Sequence, residues 1–292
     1  MAVETIRSPR GLSTDEDPDL GTGLRLMAEQ RKSRMVQTAK IGVVWTTLVV
    51  FIIFVLLQLK LDPKYAFQHL GFILQGVTVT LGVSVASIAI ATVLALFGAL
   101  GRLSNNSIAQ GVSGLYVSII RGTPLLIQIY LIYNGLPQIG TQLQAYGLHT
   151  LGRMLTLSAI QSGILALSLN YGAYMTEIFR AGIQSIAHGQ REAAESIGMT
   201  GWQMMRRVIL PQAVRVIIPD IGNQFIAMQK DSALVSLMGI WEITYRANRM
   251  ARLEYKFIEM LLMAALIYWG ITIVSSWLEE RLEQRLRRGY VR

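Results

Sequence analysis

No cysteine occurs among the 292 residues, which excludes disulfide frameworks, thiolate metal sites and thioether-linked haem. Charge is scarce as well. Only 15% of residues are Asp, Glu, Lys or Arg, against about 25% in an ordinary soluble domain, and the mean hydropathy is +0.42. The three histidines, His69, His149 and His188, have no spacing suited to a metal and receive no role. None of the six lysines (Lys32, Lys40, Lys60, Lys64, Lys230 and Lys256) follows a glycine. The chain therefore lacks the Gly-Lys-Ser/Thr ending of a phosphate-cradling loop and cannot hold ATP that way. No nucleophile–base arrangement or metal-ligand cluster supports an enzyme acting on its own.

What the chain has in excess is long apolar runs. Residues 41–59 carry no charge over 19 positions, about 28 Å as a helix at roughly 1.5 Å per residue, close to a hydrocarbon core of about 30 Å. Further uncharged runs occupy 70–100, 122–148, 154–176 and 260–278, and a weaker one, 213–239, is interrupted by Arg215, Asp220, Lys230 and Asp231. The expected class is an all-α, polytopic helical membrane protein with six spans, near 41–59, 71–99, 113–135, 156–181, 212–236 and 258–279.

The net charge of +9 belongs to orientation rather than to nucleic acid. Arg31, Lys32, Arg34 and Lys40 precede the first run, and Arg281, Arg285, Arg287, Arg288 and Arg292 follow the last. Basic residues flanking spans face the cytoplasm, so six spans place both termini there. Arg246, Arg249, Arg252 and Lys256 then fall in an external loop, against that rule. Either they lie in a surface helix or the span count is off by one. The first run starts too late for a signal peptide and is followed by "KLDPK", so it reads as an anchor. Residues 1–40, with "DEDPD" and no apolar periodicity, read as a disordered cytoplasmic tail; 286–292 form a basic C-terminal tail.

Small residues recur inside the second span. Gly76, Thr80 and Ser84 lie on one line, Gly82 and Ala86 on an adjacent one, and such spacing lets helices approach closely in lipid. No internal repeat is evident, which argues against an inverted-repeat secondary transporter.

Between spans four and five lies "REAAESIGMTGWQMMRRVILP", residues 191–211. Gly198 supplies a left-handed cap after the short helix "QREAAESI". Thr200 and Gln203 have the spacing of a capping box and start a second short helix. Leu210-Pro211 is expected to end it, because proline removes a backbone donor. Two short helices with a sharp bend at Gly198 thus project into the cytoplasm. Ala193 and Ala194 keep one surface thin, and Arg191 and Glu192 rim it. The segment reads either as a docking element or as an ordinary linker.

That stretch resembles the EAA loop of ABC importer permeases: Glu-Ala-Ala, three residues, Gly, nine residues, Ile, one residue, Leu-Pro. Glu192, Ala193, Ala194, Gly198, Leu210 and Pro211 match, and Val208 replaces the isoleucine. "RGTPLLIQIYLIYNGLP" (121–137), "YGAYMTEIFRAGIQSI" (171–186) and "GNQFIAMQKDSALVS" (222–236) resemble the polar amino acid permeases of the histidine/glutamine/arginine/opine type. The resemblance covers about residues 68–285. It implies a type I ABC importer transmembrane domain with a five-span core, to which 41–59 adds an N-terminal span. The coupling loop, 188–211, would dock on a cytoplasmic ABC ATPase dimer that holds ATP and Mg, while this chain binds no cofactor itself. A second permease subunit, identical or a sister chain, and a periplasmic or surface substrate-binding protein would complete the importer in a bacterial inner membrane. Asp220 is a departure, since many relatives carry an apolar residue or proline there.

Charges within the spans need a partner or a water-filled path, because each costs at least about 2.5–3.5 kcal/mol at the bilayer centre. A zwitterionic amino acid needs an anion for its ammonium and donors for its carboxylate. Glu177 is the first choice for the former and Arg121 for the latter, since a guanidinium binds carboxylate bidentately. Asn170, Tyr174, Gln229, Lys230 and Asp231 are the further candidates along the path. The bland alternative makes Arg121, Lys230 and Asp231 an interhelical or subunit-interface ion network and Glu177 a solvated gate. The fifth span, divided by Pro219, Gly222 and the Lys230-Asp231 pair, is expected to border the route. The rivals are an ion-coupled secondary transporter or channel, which leaves the loop unexplained, and a membrane scaffold that only anchors partners, which requires the intramembrane charges to be wholly structural.

Overall fold

The computed structural model describes residues 18–58 and 61–287, and every regular element among them is helical. The chain divides into two units, 1–61 and 62–292. The first consists of α1 (Pro18–Gln58). Its stretch Met35–Val55 is apolar with nothing buried, and Val43, Trp45, Phe51 and Phe54 all point outward. A helix apolar all round and left uncovered belongs in lipid. The tail expected to be disordered over 1–40 is helical from Pro18 onward. Its segment "LRLMAEQRKSRMVQTAK" is dense in good helix formers, and each residue added to an existing helix gains a bond. Residues 1–17, with most of the acidic knot, and 288–292 lie outside the described residues.

The second unit begins with α2 (Pro63–Leu103). Asp62 caps it, accepting the Tyr65 amide at 3.1 Å, and that bond holds the Asp62 carboxyl below the usual range. Next come α3 (Ser107–Gly122), α4 (Leu125–Tyr130), a π-helical turn over Leu131–Gly135, α5 (Leu136–Ala145) and α6 (His149–Met154). The single span expected over 113–135 is broken: α3 and the α4–α5 segment meet at 107°. Thr123-Pro124 makes the corner, because the residue before proline is pushed out of the helical region, and Thr123 is extended, with φ −122° and ψ 146°.

The remaining helices are α7 (Ala159–Gln184), α8 (His188–Ser196), α9 (Gly201–Met204), α10 (Leu210–Asp231), α11 (Ile243–Glu254) and α12 (Phe257–Arg287). Within the described residues three helical stretches are long and apolar enough to cross a membrane, or four with the bent pair. Neither α7 nor α10 is among them. The shortfall of α7 follows from its position, since Ser162, Ser168, Asn170 and Thr176 are buried in protein rather than facing lipid.

The core is the pairing of α2 with α7. Ala91, Ala95 and Ala99 have no exposed surface, so the backbones nearly touch. Ser168 Oγ donates to the Ser87 carbonyl at 3.2 Å, and a Cβ on Gly98 would lie 2.3 Å from Thr176 Oγ1. Residues 87 to 98 thus run alongside 168 to 176, and the two helices are parallel. Of the two small-residue lines, the first is the packing line: Gly76, Thr80 and Ser84 are buried. Gly82 is exposed and Ala86 half-buried, with nothing within 4 Å of a Cβ on Gly82.

A second cluster joins the first half of α2 to α11 and α12 through Tyr65, Ile73, Ile243, Ala247 and Met260. A Cβ on Gly76 would meet the Ile243 nitrogen at 2.5 Å. Glu242, fully buried, caps α11 by accepting the amides of Thr244 at 2.8 Å and Tyr245 at 2.6 Å, and Tyr268 donates to it at 2.5 Å. Arg246 donates to the Phe72 carbonyl at 3.1 Å and to Gln75 at 2.9 Å. Arg246, Arg249 and Arg252 therefore lie on a helix.

Gly98→Val is expected to destabilise the α2–α7 pair by about 1–3 kcal/mol, as overpacking does. Thermal unfolding of purified protein should show a lowered midpoint for Gly98→Val and an unchanged one for Gly82→Val; equal midpoints would contradict the packing line.

Candidate functional site

The loop begins where α7 ends. Beside that end lies the last turn of α2, because Arg102 Nε reaches Glu177 at 3.3 Å. The loop therefore lies at the opposite end of the second unit from α11, which packs on the first half of α2. Helix α8 is tied back by Arg191, whose Nη2 donates to the Ile183 carbonyl at 3.0 Å. Of the two alanines, Ala194 is buried and Ala193 exposed. Glu192 is exposed and bonded to His188 Nδ1 at 2.9 Å. The expected bend is present in full. Gly198 has φ +76°; its amide donates to the Glu195 carbonyl, and the Met199 amide to that of Ala194, the paired bonds of a Schellman ending. Thr200 and Gln203 form both halves of the capping box. Ile197 and Trp202, on either side of the bend, are each 72% exposed.

Leu210-Pro211 does not end the second helix. The chain stays helical through a π turn over Met205–Ile209 and on into α10, with the Leu210 amide donating to the Met205 carbonyl. Proline at 211 has no donor for the carbonyl four residues back and would press against it; a turn widened by one residue relieves both problems. The same arrangement precedes Leu136-Pro137, where the Leu136 amide donates to Leu131. The loop thus runs on into α10 without leaving the helical state.

Between α3, α7 and α10 lies a cavity of about 640 Å³ lined by Arg121, Tyr174, Glu177, Arg180, Asp220 and Gln224. Glu177 accepts from Arg180 Nε at 2.8 Å and faces Arg102 on its other oxygen. The Arg121 guanidinium lies 5.2 Å from the centre of the Tyr174 ring. Three of the seven candidates thus share one cavity, and the other four do not line it. Asn170 donates to Gln128 Oε1 at 3.0 Å, while Gln128 Nε2 donates to the Ile120 and Thr123 carbonyls. That chain ties α7 to the 107° corner. Gln229 and Ser275 bond reciprocally, at 2.9 and 3.1 Å, joining α10 to α12. Asp231 accepts from Tyr171 at 2.8 Å, and Lys230 is exposed. Among the described residues no ion pair links Arg121, Lys230 and Asp231 within the chain, so the interhelical form of that network is not seen there.

Sequence reasoning missed Arg102, Gln128 and Arg180. Arg180 had a readable signal, its spacing of three from Glu177 on one helix face. Arg102 and Gln128 had none, since their partners are distant in sequence. Among the described residues no group of three His, Cys, Asp or Glu side chains is placed to hold a metal.

Residues 87–288 match the family described as the binding-protein-dependent transport system inner membrane component. The probable amino-acid ABC transporter permease PatM of Vibrio harveyi is 36% identical over 231 residues, 79% of this chain and 99% of that protein. The arginine transport system permease ArtQ of Bacillus subtilis is 33% identical, covering 78% and 99%. The nopaline transport system permease NocM of Agrobacterium fabrum is 37% identical, covering 77% and 95%. Among solved structures, an amino acid ABC transporter with histidines is similar with a TM-score of 0.68 and 36% identity, over 77% of this chain and 99% of that one. The inward-facing MetNI methionine transporter, at 17% identity and a TM-score of 0.55 over 73% and 95%, shares the fold. The chain belongs to the binding-protein-dependent transport inner membrane components: it is a permease subunit of an ABC importer, and ATP hydrolysis falls to a separate subunit.

Proposed function

We propose that this permease carries polar amino acids inward across a bacterial inner membrane, driven by a cytoplasmic ATPase dimer that binds ATP and Mg and docks at residues 188–211. The observation that carries the reading is the bent helix pair: Glu192, Ala193, Ala194 and Gly198 sit on a projecting element with Ile197 and Trp202 bare at its tip. Two exposed apolar side chains at one bend form a knob that needs an apolar groove to cover it. An ion-gradient mechanism leaves that knob without a partner.

The substrate class rests on the relatives named for amino acids and on the mixed charges of the cavity. Glu177, Arg121 and Tyr174 border the route there, while Asn170, Gln229 and Asp231 tie together the helices around it. Two permease subunits, identical or sister chains, enclose the route, and an external binding protein delivers cargo at the α11 end. Closure of the ATPase dimer pushes on α8; the tie from Arg191 to α7 and the unbroken helix into α10 turn that push into tilting of both. In this reading 41–59 is an additional N-terminal span, and both termini face the cytoplasm.

In proteoliposomes holding the assembled importer, ATP-driven uptake of arginine, glutamine or cystine is the direct test; no uptake of any amino acid would refute the substrate class. Gly198→Val places a branched side chain at positive φ, which costs about 1–2 kcal/mol, and is expected to lower uptake and ATPase recovery about tenfold while membrane insertion is kept. Unchanged uptake would count against docking at the bend. The absence of native cysteine permits a topology test. In intact cells, an impermeant thiol reagent should label Leu253→Cys and not Ile197→Cys; the reverse pattern would invert the orientation.

A further inference from the structure

The charged groups of the cavity between α3, α7 and α10 are not equally engaged. Glu177 is answered within the protein by Arg180 at 2.8 Å and Arg102 at 3.3 Å. Asp220 has neither a hydrogen bond nor an ion pair among the described residues, and Arg121, though laid over Tyr174, has no carboxylate within ion-pair distance among them. The cavity therefore presents one uncommitted anion and one uncommitted cation. Asp220 stands ten residues into α10, roughly 15 Å along the axis. Asp220 is exposed, and a carboxylate along an expected span is retained where water or a ligand meets it.

We propose that Asp220 and Arg121 are the zwitterion-recognising pair of the route, Asp220 taking the α-ammonium group of the amino acid in transit and Arg121 its α-carboxylate. The role expected of Glu177 passes to Asp220, because two guanidiniums already neutralise Glu177 and a third cation there would be repelled. The Arg121 fork donates two parallel bonds to a carboxylate, and its guanidinium lies 5.2 Å from the Tyr174 ring centre, within cation–π reach. At about 640 Å³ the cavity lies within the roughly 300–1,000 Å³ of small-ligand sites. Gln224, one turn beyond Asp220 on α10, adds a neutral donor and acceptor. The pair deepens the amino acid reading above and rests on it.

The test is equilibrium binding to the assembled permease–ATPase complex without its binding protein. The probes are arginine and glutamine, each compared with its counterpart lacking the α-amino group, 5-guanidinopentanoate and glutaramate. The native complex is expected to bind each amino acid more tightly than its counterpart. Asp220→Asn should weaken the amino acids about tenfold, the loss of one charge-assisted contact, leave the counterparts unchanged and so erase the discrimination; Asp220→Glu should restore part of it. Arg121→Gln should weaken all four probes. Discrimination lost in Glu177→Gln but kept in Asp220→Asn would overturn the assignment. So would an equal loss for all probes, or disassembly of the Asp220→Asn complex, either of which makes Asp220 a packing residue between subunits. ATP-driven amino acid uptake without saturable binding to the native complex would overturn the pair and leave the importer reading standing. Absence of uptake would defeat the importer reading itself.

Discussion

Close approach of α2 and α7 is the constraint on which the rest of the second unit depends. In lipid there is little hydrophobic gain from bringing two apolar helices together, so association must come from dense packing and shared hydrogen bonds. The fully buried Ala91, Ala95 and Ala99, with Gly98 set against Thr176, supply the first; Ser87 and Ser168 supply the second. With these helices in register, Arg102 falls beside Glu177. Tyr116 reaches the Leu169 carbonyl at 2.7 Å, which sets α3 against α7 and brings Arg121 over Tyr174. The cavity is a consequence of this register rather than a separate feature.

The proposed role of the loop draws on the same packing. A docking element transmits force only if both of its ends are held. Here α8 is pinned to α7 by Arg191, and α9 leads into α10 without a break. The π turn at Met205–Ile209 is the softest part of that path, because its bonds span five residues instead of four. At the opposite end, α11 is fixed by Glu242 and by the close approach of Gly76.

What could be read from the sequence was what local chemistry decides. Gly198 and the Thr200–Gln203 pair announced the bend, since a left-handed cap and a capping box each depend on a few neighbouring residues. The spans announced themselves by length and lack of charge, though α7 and α10 proved less apolar than lipid alone would demand, being partly sheltered by protein. Two of the misreadings share one cause, the neglect of continuity. Leu210-Pro211 looked like a stop because proline lacks a donor, yet a widened turn one step earlier carries the helix through. Residues 18–40 looked structureless without periodicity, yet a helix already formed by the anchor extends backward through good helix formers. The cavity was half legible. Arg121, Tyr174 and Glu177 were named from charge and depth, but the engagement of Glu177 by Arg102 and the tie from Asn170 to Gln128 depend on contacts between distant segments that no local pattern encodes.

The central claim is that this chain is the membrane half of a machine whose engine is another chain. The most direct measurement is the mass of the intact complex released from its native membrane in mild detergent. The account predicts two permease chains, identical or sister, in stoichiometric union with two copies of an ATPase subunit, and their separation in a chain altered at Gly198. Recovery of the native chain alone, or only with itself, under conditions in which ATP-driven uptake persists would contradict it.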